Sequence, residues 1–429
     1  MYDVAVIGAG PAGLFAAQCL AEKHLKVVVA EKRKDISKTV RACTQLFYMD
    51  EDYEKESIKI EQSKIIFPRN GFEIEYNGPL INVPDFYHIS PGRKVVHYAY
   101  KDRRPCAVKF DKGFLLRGLW QNCQNLGVEL RLNTVAYSAS DDGKQTEVNL
   151  TCNKDKSKIQ AKKVIVADGA NSRIAESLGI NKTRSLSTIS SCMIYTVEGL
   201  SGFKQTEWKQ FHMGHPYEAR HPMIVNPSLD GEELAEVVIL GKKDLLPDEY
   251  LAQIMTRGPQ SSLFAKARIV NKKGACLKIY TPLRVPHRGN ALVIGDAAAF
   301  SEVGVQGALM CGYHAATAII KEIEGKTGFD EYTKWWQTTF EFFSEKELMS
   351  ALSLFLMAKL YTDDELDYLF GLTEDIVLDG CYDQWRQPKL LWSAIFRHED
   401  KIVKERPDLF KRISKYKELG LTEFYFSKA

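Results

Sequence analysis

Three groups of residues in this 429-residue chain have types and spacing that could do chemistry. Near the start, Gly8, Gly10 and Gly13 form G-x-G-x-x-G, and an acid follows at Glu31. The chemistry of that pattern is dinucleotide binding. The first glycine permits a tight turn, the second lets backbone approach a pyrophosphate, and the third lets helix and strand pack closely. Free N–H groups at the helix N-terminus then meet the phosphates. Glu31 stands where it can accept from ribose hydroxyls, and an acid there disfavours a 2′-phosphate. The second group is a pair of dipeptides, Asp168-Gly169 and Gly295-Asp296, each at the end of an apolar run and ahead of a helical pattern. An acid so placed can bind a ribose or ribitol hydroxyl, or can simply cap the helix. The third is Cys43 in "VRACTQLFYMD", with Arg41 two residues before it. Nothing around it suggests a disulfide or a metal clip, and a small buried residue is the plain reading.

The elements that must position these groups follow from hydrophobic period. Tyr2 to Ile7 and Val27 to Ala30 are β-branched apolar runs, and Ala12 to Ala21 between them has helical spacing. "KKVIVADGANSRIAESLGI" (162–180) and "RGNALVIGDAAAFSEVGVQGALMCGYHAATAIIKEI" (288–323) each predict strand, turn and helix. The second has its strand at Leu292 to Ile294 and its helix at roughly Gly307 to Ile323. Residues 60–105 and 185–285 read as short strands that together build one antiparallel sheet, with hairpin or loop signals at Asn70-Gly71 and Asn77-Gly78. From 328 onwards the pattern is helical and rich in aromatic residues that belong in a core. "LMSALSLFLMAKL" (348–360) is too short to span a bilayer and predicts a buried helix. The terminal "DKIVKERPDLFKRISKYKEL" predicts a basic amphipathic helix with a solvated face, an anionic membrane surface being the sharper alternative.

Composition narrows the classes. With 45% apolar and 26% charged residues the chain has the make-up of a soluble globular protein of two or three domains. A formal charge of +3 gives no support to nucleic-acid binding. The nine cysteines are scattered without a CxxC pair, so neither a disulfide framework nor a metal site is expected, and the reading is cytoplasmic. No signal peptide is expected, because the first strand begins at Tyr2.

The order GxGxxG, then DG, then GD resembles the p-hydroxybenzoate hydroxylase-like flavoproteins, and within them the geranylgeranyl reductase-related branch. The run Gly295-Asp296-Ala297-Ala298-Ala299-Phe300 is similar to that branch's G-D-A-A-G-F. The likeness covers residues 1–50 and about 105–325. It implies an α/β fold: a Rossmann-type FAD-binding domain (1–60, 105–180 and 285–327), an antiparallel β-sheet substrate domain (61–104 and 181–284) and a C-terminal helical region (328–429). It also implies FAD contacts from Gly8, Gly10, Ala12, Gly13, Glu31, Lys32, Arg41, Cys43, Asp168, Gly169, Gly295, Asp296, Gly304 and Val305. A basic residue near the flavin would be Lys112 or Arg117, and Cys43 would be catalytic. The loop "SEVGVQG" is shorter than the family's and lacks its proline, and the aromatic-Phe-Pro motif of prenyl reductases is replaced by "HMGHPYEARHPMIVNP". The activity implied is reduction of carbon–carbon double bonds in an apolar, isoprenoid-like substrate. The alternatives are an aromatic hydroxylase using NAD(P)H and O2, and a non-catalytic FAD-bound module. A second G-x-G-x-x-G is missing, so NAD(P)H or a reduced protein would serve as a transient donor, with peripheral membrane contact a further implication.

Overall fold

The structure is a computed structural model and describes residues 1–217, 219–241, 245–380 and 382–420. Its first layer is an eight-stranded sheet in which Glu129–Arg131, Val27–Ala30, Tyr2–Ile7 and the C-terminal half of Asp155–Val166 run parallel, with Ala291–Val293 parallel on the far side of the last. The N-terminal half of Asp155–Val166 continues into an antiparallel meander with Thr146–Cys152 and Val135–Asp141. Val4, Val6, Val28, Val164 and Val293 are fully or almost fully buried, as a sheet covered on both faces requires. Helices Pro11–Ala21 and Gly304–Ile323 cross over it. They approach so closely that a Cβ at Gly312 would lie 2.5 Å from the Ala12 carbonyl oxygen. Both helices begin where expected to within three residues.

The second layer is another eight-stranded sheet, ordered Arg268–Tyr280, Leu186–Glu198, Leu234–Gly241, Met223–Pro227, Glu207–Phe211, Asp85–Ile89, Val95–Ala99 and Val377–Asp379. It is antiparallel over most of its pairs, but Glu207–Phe211 runs parallel to Asp85–Ile89 and Val377–Asp379 parallel to Val95–Ala99. The expectation that residues 60–105 feed this sheet as a block is corrected. Lys59–Glu61, Lys64–Phe67 and Phe72–Glu75 form their own small sheet. Its aromatic face packs on the nucleotide layer, where Phe72 meets Phe15 at 4.9 Å and Tyr313 at 4.8 Å between ring centroids. Asn70-Gly71 does make the turn of that hairpin, with Gly71 at φ 73°. Leu80–Val83 joins Ala107–Phe110 and Leu46–Tyr48 in a third, three-stranded sheet. This sheet carries the Cys43 segment towards the substrate sheet.

The C-terminal region is helical apart from the edge strand Val377–Asp379. Its aromatic residues are core: Trp336 is fully buried and donates through Nε1 to the Leu283 carbonyl at 2.7 Å. The stretch 348–360 is two helices, not one buried helix, and Met349, Phe355 and Leu360 face outwards. In Pro407–Glu418 the apolar Leu409, Ile413 and Tyr416 turn inwards while Arg412 and Lys417 pair with Glu365 and Glu399, and Arg406 just before the helix pairs with Asp364. Among the described residues no helix is long and apolar enough to cross a membrane.

Two glycines in helices give opposite expectations. Gly312→Ala puts a methyl onto backbone that cannot yield, and should destabilise by about 1–3 kcal/mol in denaturant unfolding. Gly118→Ala, in the helix Lys112–Asn125 with nothing within 4 Å of its Cβ position, should instead stabilise by about 0.4–1 kcal/mol. Equal effects would show that the crossing of the two long helices is not under tight packing.

Candidate cofactor and active site

Four parallel strands end side by side: Gly8 N–H donates to the Ala30 carbonyl at 2.9 Å, Ala167 N–H to Ile7 at 2.8 Å and Ile294 N–H to Val166 at 2.9 Å. At this edge Gly8 has φ 106°, and a Cβ on it would stand 2.4 Å from the Ala167 oxygen. A Cβ on Gly13 would stand 2.0 Å from the Gly8 oxygen, so neither position admits a side chain. Gly10 has open space on its Cβ side and caps the helix without any side chain. This leaves first-turn amides free to meet an anion. Ala12 is buried against the long helix from Gly304, so only its backbone can face a ligand.

Glu31 is buried and accepts from Ala9 N–H at 2.7 Å and from the backbone N–H and Nε of Arg33 at 2.8 and 2.9 Å. Burial pushes its carboxyl up, but the Arg33 guanidinium and these N–H donors outweigh it and hold the group below the usual range. Arg33 also donates to the carbonyls of Ala9 and Ile36, tying the glycine loop to the acid. Lys32, expected at the site, is exposed. The alternation of a strand end turns Arg33 inwards and Lys32 outwards. The Glu-x-Arg spacing was the available signal for Arg33.

The two acid–glycine pairs come together with Arg41. Its Nη1 lies 3.2 Å from Asp296 Oδ2, and the same atom is what a Cβ on Gly169 would meet at 3.1 Å. Asp296 Oδ1 accepts from Val303 N–H at 3.1 Å, so this residue does hold the start of the next helix as well as facing the arginine. Asp168 Oδ1 is buried without a hydrogen-bond partner, and burial pushes its carboxyl up against the pull of the Ser172 hydroxyl. Gly295 and Gly304 lie at φ 62° and 64°, and Gly304 has open space on its Cβ side. Val305 is buried, so it too can offer only backbone.

Arg184, unsuspected from sequence, donates to the carbonyls of Thr281, Ala297 and Ala299 at 2.5, 2.9 and 2.5 Å, and burial pulls its guanidinium down to about 10. It bolts the Gly295–Ala299 turn to the end of the substrate sheet. Glu302 is exposed, with Asp296, Arg41 and Lys112 as its charged neighbours. Desolvation by the surrounding protein and the neighbouring Asp296 raise its carboxyl above the ordinary range. Lys112 therefore reaches the site electrostatically, whereas Arg117 is exposed beside Phe114.

Cys43 is half-buried against the nucleotide-layer core, within electrostatic reach of Lys109, Cys192 and Tyr382. Tyr382 and Tyr48 pack at 4.4 Å between ring centroids, and Tyr48 meets Tyr53 at the same distance. Two residues before the thiol, Arg41 makes the ion pair with Asp296.

These features fit a flavin dinucleotide. The partnerless Asp168 Oδ1, the open sides of Gly10 and Gly304 and the uncapped helix starts are polar or empty where an extended dinucleotide would need hydroxyl and phosphate partners. Residues 1–238 match the FAD binding domain family. The chain belongs to this family. Its cofactor is FAD, and its chemistry is that of a flavin oxidoreductase.

Among curated proteins the chain is 26% identical to the digeranylgeranylglycerophospholipid reductase of Methanosarcina acetivorans, covering 97% of this chain and 98% of that one. It is 26% identical to the reductase of the same name from Methanocaldococcus jannaschii over 86% of this chain and 90% of that one. Its fold is similar to a geranylgeranyl bacteriochlorophyll reductase-like protein from Thermoplasma acidophilum, with a TM-score of 0.69 and 19% identity over 95% of this chain and 99% of that chain.

The purified protein should be yellow. Asp296→Ala, which strips both the Arg41 partner and the Val303 acceptor, should bring its flavin-to-protein absorbance ratio well below that of the wild type. Wild-type occupancy would mean that the acid serves the helix alone.

Proposed function

We propose that this protein reduces carbon–carbon double bonds of an apolar, isoprenoid-like substrate, with Cys43 as the proton donor. Bound and reduced, FAD supplies a hydride. The chain's own residues do the rest. Gly8, Gly10, Gly13 and Glu31 hold the adenosine and pyrophosphate half, with Arg33 setting the Glu31 carboxylate. Asp168, Gly169, Asp296 and Arg41 would hold the ribitol end, and the amides at Gly304 and Val305 would serve the flavin, since a helix N-terminus favours added negative charge. The substrate sheet and the tyrosine wall of Tyr48 and Tyr382 present an apolar surface that an alkene chain can displace water from. The electron donor visits from solution, as NAD(P)H or a reduced protein.

The reading rests on Cys43, a half-buried thiol in the same segment as Arg41, which pairs with Asp296 of the second acid–glycine turn. Reducing an alkene needs a proton on the carbon next to the one that takes hydride. A thiol is a far better acid for that than a serine hydroxyl. The similar proteins named as reductases support reduction over hydroxylation.

Cys43→Ser tests it directly. FAD content and flavin reduction should be unchanged, while anaerobic reoxidation by a prenylated alkene should slow by about 10²–10⁴-fold. If Cys43 only packs, stability falls by roughly 1–3 kcal/mol and reoxidation per folded molecule stays normal. Fast reoxidation by O2 coupled to hydroxylation of an aromatic compound, with none by alkenes, would replace the reductase reading by a hydroxylase.

A further inference from the structure

The helices Glu345–Phe355 and Met357–Leu360 carry a stripe of apolar side chains that nothing among the described residues covers. Their inward side buries Ser350 and Ser353 beside Leu354, Met357 and Ala358. The serines are satisfied there: Ser350 donates to the Trp385 carbonyl at 3.2 Å, Ser353 to the Ser350 carbonyl at 2.7 Å, and Trp392 Nε1 to Ser353 Oγ at 3.0 Å. The outward side carries Met349, Phe355 and Leu360, at 44, 39 and 42% exposure. Leu352 and Leu356 lie between them, half-buried, and join none of the buried apolar clusters. At about 100° per residue these five share one side of the helix surface, so they form one patch. A surface helix ordinarily turns its polar side outwards, and a contiguous apolar patch marks a place that something else covers.

Size, charge and neighbours decide what covers it. The stripe offers only a few hundred Å², against the roughly 800 Å² per partner that a stable pairing of two copies needs. A bilayer sets no such minimum, because side chains enter it one by one and each removes apolar area from water. Lys346 and Lys359 stand exposed near the two ends of the stripe, where long stems let ammonium groups stay at headgroup level. Glu345, in the first turn, is the exposed acid of these two helices, since Glu347 is half-buried and paired with Lys389 at 2.7 Å. The terminal helix Pro407–Glu418, the membrane candidate in the sequence, has its apolar Leu409, Ile413 and Tyr416 buried instead.

We propose that this outward face docks the protein onto a lipid bilayer, with Met349, Leu352, Phe355, Leu356 and Leu360 entering the interfacial layer and both helices lying in the membrane plane. The inference rests on the reading of the substrate as apolar and isoprenoid-like, since such a molecule resides in lipid and not in water. The protein lies on the bilayer and does not span it: among the described residues no helix is long and apolar enough to cross. The inward side of the same helix holds the Trp385 carbonyl, three residues after Tyr382, which packs on Tyr48 at 4.4 Å between ring centroids. Docking therefore leaves about one helix diameter, roughly 10 Å, between the lipid and the segment that carries Tyr382. An apolar substrate taken up at this face has no water to cross.

The test uses the FAD-loaded protein and flotation with phosphatidylcholine vesicles. Wild type should float with the vesicles, and should still do so at about 0.5 M salt, because burial of apolar area is not screened. Met349→Gln/Phe355→Gln/Leu360→Gln changes only exposed side chains, so flavin content and melting temperature should match wild type while vesicle binding falls about tenfold or more. Should that variant fail to fold, Phe355→Gln alone should still weaken binding several-fold. Turnover of a prenylated lipid embedded in the vesicles should fall in step, and turnover of a short water-soluble prenol should not. Lys411→Ser/Lys415→Ser, on the terminal helix, should bind as wild type does. The reverse pattern, with binding lost in the serine variant and kept in the glutamine variant, overturns the proposal. So does a wild type that stays out of the vesicles, or a wild-type dimer in sedimentation that the glutamine changes split into monomers. Vesicle binding through this face in a protein whose reduced flavin no alkene reoxidises would leave the docking standing and remove the reductase reading.

Discussion

The site depends on how closely three strand ends and one helix can approach. Gly13 lies with its Cβ position 2.0 Å from the Gly8 oxygen, and Gly8 with its own 2.4 Å from the Ala167 oxygen. No residue with a side chain fits at either place, so turn, helix and third strand close on backbone alone. That closure leaves the edge of the sheet lined by amides and the helix start uncapped, which is the condition for receiving a pyrophosphate. The second crossing, Gly312 over Ala12, brings the Gly295–Asp296 turn to the same edge.

Charge then holds together what packing has brought near. Arg41 spans from its loop to Asp296, Arg33 from the strand end to Glu31 and the Ala9 carbonyl, and Arg184 from the substrate sheet to the carbonyls of Ala297 and Ala299. All three are arginines, whose several donors on one rigid plane can reach separate acceptors at once, as a lysine ammonium on a flexible stem does less well. Lys109 is the exception. It is fully enclosed, and its compact ammonium meets three acceptors converging from three different strands or loops.

The substrate side is assembled from distant pieces. The sheet that roofs the site takes its middle strands from residues 186–241, two more from 85–99 and its last from Val377–Asp379. That last strand brings Tyr382 against Tyr48 and close to Cys43. The C-terminal helices pack through Trp392, Leu391 and Tyr416 against the face that carries Phe86 and Trp208. The aromatic content of this region is accounted for by that packing.

What the sequence determined by itself was local. The glycine turn, the strands Tyr2–Ile7 and Val27–Ala30, the two acid–glycine ends and the Asn70-Gly71 hairpin all follow from steric and hydrogen-bonding rules acting over fewer than ten residues. Cys43 was visible for the same reason, as a thiol in a segment with no disulfide or metal partner. Arg33 was missed because the chain past Val27–Ala30 alternates its faces, so that the second residue after Glu31 turns back towards the Glu31 carboxylate. Tertiary structure alone decided the rest. Lys109 and Glu236 are 127 residues apart, Arg184 and Ala299 are 115 apart, and Tyr48 and Tyr382 lie on opposite ends of the chain. No periodicity encodes such pairs. They exist because sheets stack through their side chains and put buried charges where a partner from another strand is the only alternative to water.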